Sequence, residues 1–293
     1  MAERFIVNIL GTASAKPKPN RASSAQLLQA AERLFLIDCS EGVQTRFLTQ
    51  QHRLQKWAEE GGYQGVKRLS KTRLDCIFIS HIHGDHMFGL FPLLNTMALT
   101  GRTKALRIFG PNALGSVLNF YKSFWGDKDP FELLFEPLKM KEPQTILDYG
   151  DLSVEAFPLK HGIESYGFIF REKGPCLFKK EAYSPRSYAY CSDTAPFPEL
   201  SSWVKGVDVL YHEGTYFAED NPKAVFRMHS TTHDAARCAL EAGVGQLLVA
   251  HYSSNIKEEE IHGRYEQQLK EIFPASRALD DGDIIDLPII PLK

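Results

Sequence analysis

The sequence predicts an α/β (α+β) protein in which layers of mixed β-sheet are covered by helices. Short apolar runs bounded by Gly, Pro, Asp or Ser recur along all 293 residues. Longer stretches with helical periodicity fall between some of them, and the two kinds do not alternate strictly as a purely parallel sheet requires. No linker-like composition divides the chain, so residues 1–293 are expected to form one domain.

Strands are expected at 4–10, 34–38, 74–80, 106–109, 152–157, 166–171, 187–192, 207–212 and 246–250, all rich in Ile, Val, Leu, Phe and Tyr. Helices are expected at 41–57, 88–99, 112–124, 230–242 and 257–272. The 230–242 helix has Ser230 or Thr231 as its N-cap, an apolar face of Ala235, Ala236, Ala239 and Leu240, and Gly243 as its stop. The first run precedes Ala13-Ser14-Ala15, which looks like a leader cleavage site. Asn8 interrupts the apolar stretch, however, and Glu3 stands where a leader is basic, so a first strand is expected instead.

Composition bounds the function. At 43% hydrophobic and 24% charged residues the chain is neither disordered nor fibrous. With 34 Lys+Arg against 36 Asp+Glu, a net of −2, it does not coat nucleic acid through bulk positive charge, although a local basic rim remains open to it. No run approaches the ~20 apolar residues that span a bilayer. Five scattered cysteines without a C-x-x-C pair fit reduced thiols and a cytoplasmic location. The basic stretch from Gly61 to Arg68, with Lys71 and Arg73 beyond it, is either a solvated loop or part of an RNA-contacting rim.

The strongest chemical signal is Ser80-His81-Ile82-His83-Gly84-Asp85-His86, directly after a predicted strand. A strand that ends in a tight Gly-containing loop frees its side chains to converge beyond the sheet. His81 and His83 can reach one ion while Asp85 and His86 turn to a second, and imidazole with carboxylate suits Zn²⁺ and its first-row neighbours. A two-ion site needs more ligands. His161, Asp193 and His251 each sit just past a predicted strand end, as His81 does.

This order of ligand types resembles the metallo-β-lactamase superfamily. Further matches resemble its ribonuclease Z family of tRNA 3′-processing endonucleases: Leu10-Gly11-Thr12, the basic loop from Lys16 to Ala25, Asp38-Cys39-Ser40-Glu41-Gly42, the run from His81 to Leu90, His212-Glu213-Gly214-Thr215, and His229-Ser230-Thr231. The resemblance covers essentially the whole chain. It implies a four-layer αββα sandwich and a homodimer. It also implies two Zn²⁺ per chain, with Mn²⁺ or another divalent ion as the alternative. His81, His83 and His161 would hold one ion, Asp85, His86 and His251 the other, with Asp193 between them.

The implied reaction removes the 3′ trailer of precursor tRNA by attack of a metal-held hydroxide on phosphorus, leaving a 3′-OH. Asp85 orients the attacking water or accepts its proton. His229, fixed by Glu213, serves the departing oxygen; a hydrogen-bonded pair without proton transfer is the alternative for those two. Lys18, Arg21 and Ser23 of the Pro-stiffened basic loop would hold the RNA backbone, against the simpler reading of a solvated turn. His52, His212, His233 and His262 are left outside the site.

The chain departs from the family pattern in three places. The interval from Gly162 to Ser192, where bacterial members carry a long tRNA-gripping arm, holds Arg171, Lys173, Gly174-Pro175, Lys179, Lys180 and Arg186 and fits a short hairpin. Gly214 stands where the family usually has Ala, and Ser254 is not followed by Arg-Tyr. These departures keep open another substrate for the same metal chemistry, a small phosphodiester or an ester or lactone.

Overall fold

A computed structural model describes residues 4–16, 18–63, 66–125, 128–174, 176–178 and 181–291. Pro17, Gln64, Gly65, Pro175, Lys179 and Lys180, which belong to stretches singled out above, lie outside the described residues. Two seven-stranded sheets pack face to face. The first contains β1 (Ile6–Gly11), β2 (Ala25–Ala30), β3 (Arg33–Ile37), β4 (Leu74–Phe78), β5 (Leu106–Pro111), β6 (Leu133–Leu138) and, at the far edge beside β1, the last strand β16 (Ile284–Asp286). The second runs, in chain order, through β7 (Gln144–Asp148), β8 (Leu152–Leu159), β9 (Ser165–Glu172), β12 (Ser187–Cys191), β13 (Val209–Glu213), β14 (Gln246–Ala250) and β15 (Ser276–Ala278). Between β9 and β12 a separate antiparallel pair forms from β10 (Cys176–Phe178) and β11 (Glu181–Tyr183). Both large sheets mix parallel and antiparallel neighbours.

Strand alternation sorts the first sheet into two apolar faces. Val7, Ile9, Phe35, Ile37 and Phe78 point toward the second sheet, where Phe168, Phe170, Tyr188 and Tyr190 meet them. Ile6, Leu10, Leu34, Leu36, Ile77 and Ile79 point the other way. That outer face is covered by α1 (Val43–Glu60), the short α2 (Gly84–Met87), α3 (Leu90–Leu99) and α4 (Leu114–Phe124), through Phe47, Leu54, Leu93, Leu94, Leu114 and Leu118. The second sheet is backed by α5 (Glu199–Trp203), α7 (Thr232–Ala242) and α9 (Glu266–Ile272), while the short α6 (Asn221–Arg227) and α8 (Glu258–Glu260) belong to the segments that connect its strands and helices. The result is the four-layer αββα sandwich that the resemblance implied. Sheets covered on both faces need near-continuous apolar strands, which is why those runs stood out in the sequence.

The departures from expectation are local. The helix expected at 88–99 begins at Leu90, because the Gly89 N–H donates to the Cys39 carbonyl at 2.8 Å, an approach so close that a Cβ on Gly89 would lie 1.9 Å from the Ser40 carbonyl oxygen. The 257–272 helix breaks at Gly263, whose φ of −102° and ψ of −107° are not helical. In α7 the cap is Thr231, in a reciprocal box with Asp234, and the apolar face is Ala235, Ala236, Ala239 and Ala242; Leu240, assigned to that face above, is 55% exposed. Seven strands were not anticipated, among them the edge strands β6, β7, β15 and β16. No helix among the described residues is long and apolar enough to cross a membrane.

Candidate metal centre

The carboxyl ends of β4, β8, β12 and β14 open at one end of the sandwich, and the side chains just beyond them meet there. Two clusters form, with Asp193 common to both: His81, His83, His161 and Asp193, and Asp85, His86, Asp193 and His251. All seven sequence-predicted ligands are therefore brought together. In the first cluster His81 Nε2 lies 3.0 Å from His83 Nδ1 and 3.6 Å from Asp193 Oδ2, and His161 Nε2 lies 3.3 Å from His83 Nδ1. In the second, His86 Nε2 is 3.4 Å from Asp85 Oδ2, Asp193 Oδ1 and His251 Nε2, and His251 Nε2 is 3.2 Å from Asp193 Oδ1.

The far nitrogen of each imidazole fixes what the near one can be. His86 Nδ1 meets Asp38 Oδ2 at 2.8 Å and His161 Nδ1 meets the Met228 carbonyl at 2.9 Å, both acceptor-only groups. Those Nδ1 atoms are donors, and the Nε2 atoms of the neutral rings are bare lone pairs. His81 Nδ1 meets Ser80 Oγ at 3.0 Å, and that hydroxyl already gives its proton to Asp38 Oδ2 at 2.9 Å. His251 Nδ1 meets Thr215 Oγ1 at 2.8 Å, and that hydroxyl donates to Glu213 Oε2 at 2.7 Å. Four Nε2 lone pairs thus face carboxylate oxygens and one another.

Such an arrangement fits divalent cations. Bonds of about 2.0–2.1 Å to a tetrahedral centre set ligand atoms about 3.3–3.4 Å apart, close to the separations seen. Asp193 Oδ1, buried, accepts no hydrogen bond from the protein. The charge balance agrees. Burial favours neutral acids at Asp85 and Asp193, yet the surrounding imidazoles hold both well below the usual carboxylate range. Burial opposes charge on His86, yet Asp193, Asp85 and Asp38 outweigh it and push that imidazole well up, so a cation bound among these carboxylates would take the place of the Nε2 proton. Burial first, and then the neighbouring imidazoles, keep His81 and His83 low against the pull of Asp193, in the neutral form that ligates.

A third grouping, Glu213, His229 and His251, is not a cation site. The Glu213 carboxylate is saturated: Oε1 accepts from the backbone N–H groups of Thr194 (3.0 Å) and Ser230 (3.1 Å) and from His229 Nδ1 (2.8 Å), and Oε2 accepts from the N–H and hydroxyl of Thr215. His229 is left with its Nε2 for the cleft that it lines. Burial would lower its pKa, but the Glu213 carboxylate raises it to about 9.

Asp38, Ser80, Thr215 and Tyr190, which hold the ligands from behind, were not assigned roles from the sequence. Asp38 Oδ1 accepts from the Ser80 N–H at 2.8 Å, and its Oδ2 from Tyr190 at 2.6 Å as well as from His86. The signal was available, since Asp38 closes a strand run just as the ligands do. Gly214 also has a cause. A Cβ there would lie 2.4 Å from the Tyr265 hydroxyl and 2.6 Å from Val249, so the space of the usual Ala methyl is filled by neighbours. Tyr265 in turn donates to the Gly214 carbonyl.

The basic loop requires a correction. Arg21 is buried, with Nε at 2.8 Å from Glu258, Nη2 at 2.6 Å from Asp280, and Nη1 on Thr12 Oγ1 and the Leu279 carbonyl. Lys18 donates to the Ile256 carbonyl, and Ser23 donates to the Ser14 carbonyl at 3.0 Å. These side chains line a hollow beside Asp85, but their donors are spent inside the protein. The loop therefore braces the site. The stretch ending at Arg73 lies at the start of β4, the opposite end of the strand from His81. In front of the clusters lies a cleft of about 730 Å³, rimmed by Lys16, Tyr216, Phe226, Arg227 and Asn255 among others.

Comparison with known proteins places these features. Residues 33–252 match the family described as Beta-lactamase superfamily domain. The ribonuclease Z of Bacteroides fragilis is 32% identical over 297 residues, spanning 88% of this chain and 92% of that protein. That of Azobacteroides pseudotrichonymphae is 32% identical over 310 residues, spanning 98% and 99%. Among solved structures, human tRNase Z, short form, superposes with a TM-score of 0.77 at 25% identity, covering 97% of this chain and all of that one. The metallo-beta-lactamase fold protein YhfI from Bacillus subtilis shares the fold, with a TM-score of 0.73 at 20% identity, covering 97% of this chain and 100% of its own.

Two substitutions test this geometry. Asp38→Asn leaves the ligands in place but removes the carboxylate behind His86, and should weaken metal binding by roughly 10–100-fold in a competition titration with a chelating dye; unchanged affinity would show that Asp38 does not set the ligand. Arg21→Ala should lower stability by about 2 kcal/mol, read as a lower denaturation midpoint, whereas a variant of native stability and weakened RNA binding would restore the RNA-holding role.

Proposed function

The chain belongs to the ribonuclease Z family of the beta-lactamase superfamily, and from that premise we propose that it is a metal-dependent endoribonuclease that removes the 3′ trailer of precursor tRNA. The observation that carries this reading is the seven-residue cluster of bare imidazole and carboxylate donors at the floor of an open, polar-rimmed cleft. His81, His83 and His161 would hold one ion, Asp85, His86 and His251 a second, and Asp193 both; the donor set favours Zn²⁺. When bound, such a pair supplies Lewis acidity toward a phosphate oxygen and a nucleophile from water at neutral pH.

The chain's own residues do the rest. Asp85 orients the attacking water and takes its proton. His229, its Nδ1 locked on Glu213 Oε1 at 2.8 Å, presents Nε2–H to the departing 3′-oxygen. Mature RNA then leaves with a 3′-OH and the trailer with a 5′-phosphate. We further infer that the chain acts as a homodimer, as the family resemblance implies.

The deciding assay offers the enzyme a precursor tRNA with a 3′ trailer beside bis-p-nitrophenyl phosphate. Cleavage of the first at the trailer junction is expected, and turnover of the second alone would favour a small-phosphodiester hydrolase. His229→Ala should lower kcat by roughly 10²–10⁴-fold. The sign of its pH dependence follows from Glu213. The raised pKa keeps His229 protonated, hence a donor, below about 9, and kcat should fall as pH rises through that limb. Cations at Asp193 draw the limb downward from there, and Glu213→Gln should draw it lower still. A limb that does not move in Glu213→Gln would remove His229 as the acid.

A further inference from the structure

The lip of the cleft formed by α6 carries a surface that the chemistry above does not use. Val225 and Phe226 are 61% and 79% exposed, and Phe226 faces the same cleft as His83, Asp85 and His229. The Arg227 guanidinium lies over one face of that ring, 5.6 Å from its centroid. Lys16, exposed, also lines this cleft. Among the described residues neither Arg227 nor Lys16 takes part in an ion pair, whereas Lys223, one turn earlier on α6, is neutralised by Asp220 at 2.6 Å. A bare aromatic face flanked by unpaired cations is the chemistry that takes up single-stranded nucleic acid: the ring stacks a base and the cations meet the backbone.

The position on α6 says which base. His229 follows the helix after the single residue Met228, and its backbone N–H donates to the Ala224 carbonyl at 2.9 Å, so His229 and the ring share one lip. If His229 serves the departing 3′-oxygen, the ribose bearing that oxygen lies against this lip. We propose that Phe226, with Arg227 over one face and the other face open, stacks the base of the nucleotide whose 3′-oxygen departs, the last nucleotide of the mature product, and so selects which phosphodiester enters the metal centre. This rests on the ribonuclease reading. Stacking accepts any base but favours purines, whose larger faces cover more of the ring.

The test measures KM and kcat on precursor tRNA for the wild type, Phe226→Ala and Phe226→Trp, each with an intact substrate and with one abasic at that single nucleotide. Phe226→Ala should raise KM on the order of tenfold while changing kcat far less, and Phe226→Trp should keep the wild-type KM. On the abasic substrate the wild type and Phe226→Ala should have the same KM. Equal KM values on the intact substrate overturn the inference. A Phe226→Ala penalty of the same size on the abasic substrate also overturns it, because the ring then serves the fold or a protein contact. A wild type that leaves the precursor uncut refutes the ribonuclease reading as well, a result distinct from the other two.

Discussion

The catalytic end of this molecule depends on holding mutually repelling donors together. Imidazole lone pairs and carboxylate oxygens from both sheets stand 3.0–3.6 Å apart with no proton available between most of them. In a buried setting that is unfavourable unless cations occupy the centre. The sandwich makes the arrangement possible because the strands that lead into it are covered on both faces and cannot swing aside. His81, His161, Asp193 and His251 need no more than two residues of loop to reach the centre, and the short α2 carries Asp85 and His86, which leaves little conformational freedom to be lost when a cation binds.

Behind the ligands stands a second set of groups that choose which nitrogen faces inward. Asp38, Ser80, Thr215 and the Met228 carbonyl each take the outer edge of a ring. Three residues at these joints are non-glycines in the left-handed region: Asp38 with φ 56°, Met228 with φ 56° and His251 with φ 68°. Such conformations cost on the order of 1 kcal/mol each. Here each one turns a carboxylate, a carbonyl or an imidazole toward the centre, and the backbone bonds around it hold the turn. The Thr12 carbonyl, for instance, accepts from the N–H groups of both His251 and Tyr252 at 2.9 Å.

Much of this was legible in the sequence, for a physical reason. Central strands buried on both faces read as apolar runs, and β14 was bounded as expected at Gln246–Ala250. The ligands were legible because each lies where such a run stops. What was missed lacked these signals. β2 is broken as an apolar run by Gln26 and Gln29, yet both are buried, and Gln26 accepts from the Tyr188 hydroxyl of the opposing sheet. Strands β6, β7, β15 and β16 are edges, and β6 carries Pro137, which an edge tolerates. Arg21 was misread because a basic run near a phosphodiesterase centre invites a phosphate, while its true partners, Glu258 and Asp280, lie 237 and 259 residues away in the chain. No local pattern announces a partner at that distance.

That buried arginine bears on how substrate choice is built. By tying the 12–24 loop to Glu258 and Asp280, Arg21 joins the first strand's exit, the His251 loop and the start of α8 into one wall of the cleft. The opposite lip, α6, is a two-turn helix joined through the Met228 turn to His229. One side of the cleft is therefore braced by a network of ionic and backbone bonds, and the other is fixed to His229. Contacts within about one nucleotide of the metal centre bear most on which bond is cleaved, because a small displacement there is felt most strongly by the reacting atoms. Affinity from remote contacts raises occupancy of the cleft; it does not decide which phosphorus lies over Asp193.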